Sequence, residues 1–321
     1  MKIHYLLLLA ITISFACKKK EVQSDTNNFQ PIFIDHFIDD WACAVNPGTG
    51  ANFNVAEFRL WIPDKSVVPE VKAILILAEG SNSNAMYLTS EAQWRDYAIA
   101  NKIALLGVHL ESENAKTVFE SYSNASGGSG AALLKALEAI ATKNNAPQIS
   151  SLPFLLRGYS AGGMFTYFFS AYQPKRTVAF ADIRGWIIDQ NADETKNIPG
   201  LFLIGELDMH NSSQLYMMKQ IVQNKRKQDG LWSYAIEPGA DHFDGFESSD
   251  SLIQLFFSSA LKSRLSTTSN DLQTVPPSAG WLGNNDTKAV SSYALYPDDK
   301  AEAGWLIDEA FAKAWKKYQR K

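Results

Sequence analysis

The sequence predicts an α/β protein built on one doubly wound, mostly parallel sheet with helices on both faces. Short apolar runs rich in β-branched and aromatic residues alternate with longer segments of helical period, the pattern of strand–helix–strand winding. Several of those runs are continuous rather than alternating, Ala73–Ala78 above all, as strands covered on both faces require. The chain has 321 residues, 46% of them hydrophobic, enough for one large core with at most a small appendage.

The chain begins Met1-Lys2-Ile3-His4, continues as an apolar run from Tyr5 to Ala16, and reaches Cys17 followed by Lys18, Lys19 and Lys20. Crossing a bilayer takes about 20 apolar residues, so this shorter run reads as a signal peptide. Its end, Ser14-Phe15-Ala16-Cys17, resembles the lipobox of bacterial lipoproteins, with Ser14 where Leu is usual and Phe15 bulkier than the usual small residue. That resemblance implies cleavage after Ala16, lipidation of Cys17 and attachment to the bilayer of the bacterial cell envelope through an N-terminal acyl anchor. Ordinary cleavage nearby, or an uncleaved anchor, are the other readings. Residues 18–30 are polar and charged, a flexible tether, and residues 31–321 form a single domain.

Within that domain the predicted strands are Ala56–Ile62, Ala73–Ala78, Ile103–His109, Pro153–Leu156, Gly185–Ile188, Leu201–Ile204 and Trp232–Ile236. The predicted helices are Ser90–Asn101 with a capping-type Ser, the Ala/Leu-rich Gly130–Lys143, Ala161–Tyr172 ahead of Pro174, Ser212–Lys227, Ser249–Lys262 and Trp305–Tyr318. Between the last two, Ser263–Lys300 is rich in Ser, Thr, Asn, Pro and Gly and reads as a loop wrapping the surface, so that 263–321 is a C-terminal wrapping segment.

Composition narrows the function. The net charge of −4 with evenly mixed signs leaves no basic face for a phosphate backbone, which argues against nucleic acid as a partner. The cysteines are Cys17 and Cys43; with Cys17 lipidated, no intrachain disulfide forms, and Cys43, without basic neighbours, is structural rather than reactive. Metal-ligand spacings such as H-E-x-x-H and a glycine-rich phosphate loop are missing from the sequence, so neither a metal nor a cofactor is expected.

The chemistry centres on Gly158-Tyr159-Ser160-Ala161-Gly162-Gly163, placed between the apolar run from Pro153 and an apolar helical segment. A serine held on a tight strand-to-helix turn needs neighbours without Cβ atoms, and the helix start sets backbone N–H groups beside it. The five letters G-x-S-x-G are weak alone, and a tight packing turn with an incidental serine is the bland reading; the strand–turn–helix context favours a nucleophile. A serine hydroxyl needs a base, and the base needs an orienting acid. Of five histidines, His4 lies in the leader and His36 precedes the sheet. His109 ends a strand and His210 follows Asp208, which makes His210 the reserve candidate. His242, in Gly239-Ala240-Asp241-His242, follows the last predicted strand of the sheet. Asp208, turning out of Leu201–Ile204, is the first choice for the acid, with Glu206, Asp189 and Asp193 left open. Candidate oxyanion donors are the N–H of Ala161 and that of Gly80 or Ser81, in the loop after Ala73–Ala78.

Through Gly158–Gly163, Gly205-Glu206-Leu207-Asp208 and Gly239–His242, the chain resembles the α/β-hydrolase superfamily over about 56–261. Within it, the absence of a long cap insertion looks like the secreted esterase branch, with its feruloyl-esterase-like and polyhydroxybutyrate-depolymerase-like proteins. Many relatives carry His-Gly where this chain has Glu79-Gly80. The resemblance implies a serine esterase: Ser160 attacks an ester carbonyl, His242 takes its proton and Asp208 holds the imidazole, on small-molecule or glycan esters outside the cytoplasm. Tyr159 and Phe243, beside the catalytic candidates, are possible pocket walls, and the loops 81–87 and 112–128 shape the pocket. A serine peptidase on the same fold and a non-catalytic binding lipoprotein are the competing readings.

Overall fold

A computed structural model of the chain describes residues 29–34, 41–113, 120–185, 193–208, 211–266 and 271–320. The signal peptide with Cys17, most of the tether, His36, Asp189 and His210 lie outside the described residues. The strands are β1 (Pro31–Phe33), β2 (Ala42–Val45), β3 (Val55–Trp61), β4 (Ala73–Ala78), β5 (Ile103–Glu111), β6 (Phe154–Tyr159), β7 (Thr177–Ile183), β8 (Gly200–Gly205) and β9 (Trp232–Glu237), then β10 (Trp281–Gly283), β11 (Val290–Ser292) and β12 (Gly304–Leu306). The α-helices are α1 (Ala92–Asn101), α2 (Ser129–Lys143), α3 (Ala161–Tyr172), α4 (Asn211–Arg226), α5 (Glu247–Arg264) and α6 (Glu309–Tyr318).

The first nine strands form one sheet in the order β1-β2-β3-β5-β4-β6-β7-β8-β9. From β5 to β9 all neighbours pair in parallel, while β1, β2 and β3 add an antiparallel flank. Successive side chains of a strand point to opposite faces, and β4 shows what that demands. Ile74, Ile76 and Ala78 enter one core, together with residues of α2, α3 and α4. Ala73, Leu75 and Leu77 enter the other, with residues of α1, α5 and α6. A strand serving two cores cannot alternate apolar with polar, hence its continuous apolar run. The doubly wound arrangement expected from the sequence is the one observed, and it is that of the α/β-hydrolase fold.

The structure corrects several boundaries. The sequence reading did not expect β7, whose sequence TVAFADI carries the buried Asp182 and so reads as less apolar than its neighbours; of the strand expected at Gly185–Ile188, residues 186–188 lie outside the described residues. Ser90 does not cap α1: Glu91 occupies the N-cap and makes no side-chain capping bond. The wrapping segment is not only loop, because β10 pairs with β11 and β12 in a small antiparallel sheet. Trp305, expected to open the last helix, lies in β12, buried and donating from its indole to Pro277 O at 2.9 Å; the helix starts at Glu309, capped by Asp308. Such short strands carry too few residues for a period to show. The globule also begins before position 31, since Phe29 is buried against Phe53 with ring centroids 5.5 Å apart.

Cys43 lies fully buried on β2, and burial pushes its thiol up to about 12. Since the thiolate is the reactive form, Cys43 should resist a thiol reagent such as dithionitrobenzoate in the native protein and react fully in guanidinium. Rapid labelling of the folded protein would contradict this.

Candidate active site

In the parallel part of the sheet, the carboxyl ends of β4, β6, β7, β8 and β9 lie along one edge, and the chain leaves each of them by a loop or turn. Between β6 and α3 that turn is a single residue, Ser160, at φ 52° and ψ −122°. This conformation is unfavourable for a residue with a side chain and is held from both sides: Ser160 N donates to Ile183 O at 2.8 Å, and Ser160 O accepts from Met164 N at 3.1 Å. A Cβ on Gly158 would stand 2.1 Å from Gly162 O, and one on Gly162 would stand 2.3 Å from Glu79 O. The two positions require glycine because backbone passes where a side chain would be.

His242 reaches this turn from the loop after β9. Its Nε2 lies 3.1 Å from Ser160 Oγ and its Nδ1 2.9 Å from Asp208 Oδ2. Asp208, after β8, has its side chain completely buried, while that of the imidazole is 14% exposed. An ionised carboxylate only accepts hydrogen bonds, so Nδ1 carries the proton and donates to Asp208, leaving Nε2 to accept the serine hydroxyl proton. Glu206 is turned away, its Oε2 accepting from Gly239 N at 2.7 Å. Asp193 lies in a 3-10 helix, 193–197, ahead of β8. His109 is engaged elsewhere, Nδ1 with Glu57 and Nε2 with Glu111, each at 2.8 Å.

Of the oxyanion candidates, Ala161 opens α3, whose first-turn N–H groups lack intrahelical acceptors. Gly80 passes close to Ser160: a Cβ built on it would be 3.7 Å from Ser160 Cβ. The Ser81 side chain is directed to Glu120 instead, to which its hydroxyl donates. The two loops expected to shape the pocket are joined to each other, with Asn82 N donating to the Tyr122 hydroxyl at 3.2 Å and Ser112 N to Asn82 Oδ1 at 3.0 Å. Glu79 has its carboxylate 2.7 Å from Arg157 Nη1 on β6. Arg157 is buried and its Nε also meets Asp250 Oδ1 of α5 at 3.1 Å.

Sequence reasoning passed over the polar residues beneath the site. Tyr159, expected as a pocket wall, is 8% exposed and donates its hydroxyl to His242 O at 2.8 Å. Phe243 is 73% exposed beside the imidazole, ring centroids 5.0 Å apart. Asp182, on β7 next to β6, is fully enclosed; its Oδ1 accepts from Gly185 N at 2.9 Å, and its Oδ2 has no hydrogen-bond partner among the described residues. Its enclosure was not legible in the sequence, because nothing local in TVAFADI says which face Asp182 takes or what covers it. Among the described residues, no cluster of three His, Cys, Asp or Glu side chains is placed to hold a metal ion, and no helix is long and apolar enough to cross a membrane.

Desolvation pushes the Asp182 carboxyl up from 3.8 to about 7. Between those values the folded protein holds a proton that the unfolded chain releases, so stability falls as pH rises through the window. Thermal unfolding followed from pH 4 to 8 should show this decline. Asp182→Asn, which carries no charge at any pH, should flatten it and be the more stable by on the order of a few kcal/mol at the alkaline end. An equal slope in parent and variant would assign the pH dependence to another group.

No protein-family model and no curated protein sequence matches the chain. Among solved structures, the chain is similar to esterase PE8, at 16% identity over 61% of this chain and 95% of that one, with a TM-score of 0.46. It is also similar to an S-formylglutathione hydrolase from Staphylococcus aureus, at 14% identity over 73% and 98% of the two chains and a TM-score of 0.45. A dienelactone hydrolase from Anabaena variabilis matches at 17% identity over 73% and 98%, with a TM-score of 0.44. These likenesses are too distant to bear on activity, and the fold itself stands on the strand order and the two helical layers described above.

Proposed function

We propose that the protein is a serine hydrolase of carboxylic esters. The observation that carries this reading is the Ser160–His242–Asp208 chain of hydrogen bonds, 3.1 and 2.9 Å, ending on a serine held in a strained turn at the sheet's carboxyl edge. In the first half-reaction Ser160 Oγ attacks the ester carbonyl as its proton passes to His242 Nε2. The tetrahedral oxyanion is met by the N–H of Ala161 and by one from the Gly80 loop, and the imidazolium returns the proton to the departing alkoxide. In the second, His242 takes a proton from water, hydroxide attacks the acyl-enzyme, and the acid leaves as Ser160 recovers its proton. Asp208 stays ionised throughout, fixing the tautomer and stabilising the imidazolium.

In this reading the substrates are small or carbohydrate-linked esters outside the cytoplasm, with the protein held to the cell envelope through a lipid on Cys17. The location is supported by the short apolar leader and the Cys17 that follows it. A fluorophosphonate probe reacts with activated serines and tests the reading directly: the purified protein should be labelled and should hydrolyse p-nitrophenyl acetate, longer acyl esters, or feruloyl or acetylated sugars. Failure to take the label at neutral pH would favour a binding protein on a hydrolase scaffold.

A further inference from the structure

The histidine loop has far to travel. It leaves β9, which is separated from β6 by β8 and β7, and at about 4.8 Å per strand this puts its root roughly 14 Å to the side of the serine turn. The loop therefore crosses the ends of two strands before it can offer an imidazole to Ser160, and something along that path has to hold it in register.

The support stands at the end of β7. Asp182 Oδ1 accepts from Gly185 N at 2.9 Å and closes a turn that leaves Arg184 at φ 51°. Arg184 N is tied to Leu203 O of β8 at 2.7 Å. The Arg184 side chain is buried, and its guanidinium fans out under the loop, Nη1 donating to His242 O at 3.2 Å and to Asp244 O at 2.9 Å, Nη2 to Glu237 Oε2 at 2.8 Å. The His242 carbonyl takes its second bond from the Tyr159 hydroxyl, which burial pushes up to about 12 and so keeps as a donor. Phe246, past the histidine, lies 5.3 Å from Arg184 Cζ and 4.6 Å from the Tyr159 ring. Glu237 in turn accepts from Ser249 at 3.2 Å and Tyr318 at 3.1 Å, which fastens the assembly to α5 and α6.

We propose that Arg184 is a positioning residue of the hydrolytic site: by gripping the backbone of His242 and Asp244 from below, it sets Nε2 of the imidazole against Ser160 Oγ. The proposal rests on Ser160 and His242 being the nucleophile and base. Three acceptors arranged as a fan fit a planar guanidinium with its fixed fork of donors, whereas a lysine ammonium is a point charge that meets fewer of them at once. Burying the charge is tolerable because Glu237 pairs with it.

The test uses the full chain with Arg184→Lys, Arg184→Gln and Tyr159→Phe. A small misplacement of a catalytic group costs up to about a hundredfold, so Arg184→Lys should lower kcat by about ten- to a hundredfold while KM stays within about twofold. Tyr159→Phe, which removes one of the two bonds to the same carbonyl, should show a smaller loss of the same kind. In proton NMR, the downfield resonance of His242 Nδ1–H bonded to Asp208 should be sharp in the parent and broadened or lost in Arg184→Lys, with circular dichroism unchanged. A folded Arg184→Lys or Arg184→Gln protein with parental kcat and an unaltered resonance would overturn the proposal. So would a loss that only tracks the unfolded fraction. Should the parent hydrolyse no ester, the reading of Ser160 fails, but the resonance still decides whether Arg184 holds His242 in place.

Discussion

Ser160→Ala is expected to lower ester turnover by about three or more orders of magnitude and to leave the unfolding midpoint close to the parent's. Only the hydroxyl is removed; Cβ remains, and with it the strain of φ 52° and ψ −122°. Ser160→Gly separates the two effects, since it should be as inactive and yet more stable, by about 1 kcal/mol or more, because glycine occupies such conformations freely. Loss of the base or its partner should be comparably severe: His242→Ala by about three orders of magnitude, and Asp208→Asn by up to about four, because an amide at that position favours the wrong tautomer. The residual rate in each case comes from the oxyanion donors and from substrate binding, which these substitutions leave in place. Initial rates on p-nitrophenyl acetate, paired with thermal unfolding of each variant, check all four. Turnover by Ser160→Ala within tenfold of the parent would move the nucleophile elsewhere.

Gly162→Ala should be severely damaging for a single added methyl, with a stability loss of about 3 kcal/mol or more and a collapse of activity with it. Its Cβ would lie 2.3 Å from Glu79 O and 2.8 Å from Ala78 C, and backbone cannot rotate away as a side chain can. Relief requires the loop through Glu79 and Gly80 to retreat from the serine turn, the very loop that should present the second oxyanion donor. Gly163→Ala is the informative comparison. Its Cβ would lie 2.0 Å from Asp182 Oδ1, but that obstacle is a side-chain terminus, so the damage should be smaller and Asp182→Ala should recover part of it. Urea denaturation of the single and double variants measures both. If Gly162→Ala were as stable as the parent, the close approach of β4's end to α3 would not exist in solution.

These expectations draw on two kinds of information. The parallel strands β4, β5, β6, β8 and β9 were legible because most of their residues are buried on both faces: β4 was placed to the residue, and the others to within a few. Ser160 was legible because its requirements are local, small neighbours on a turn between an apolar strand and an apolar helix. The chain order of Ser160, Asp208 and His242 then followed from which strand each one leaves. β7 was not expected because Asp182 interrupts an apolar run, and β10, β11 and β12 were not expected because they are three residues each.

What no reading of neighbours along the chain supplies is which buried polar group meets which. Arg184 and His242 are 58 positions apart, and Arg157 and Asp250 are 93 apart; each pair meets because strand order and helix packing bring distant segments together. Periodicity and turn chemistry act over a few residues, so they report which strands form and which side chains stand at their ends. Partners for a buried charge are set by the packing of the whole sheet, and the support beneath His242 came into view with that packing.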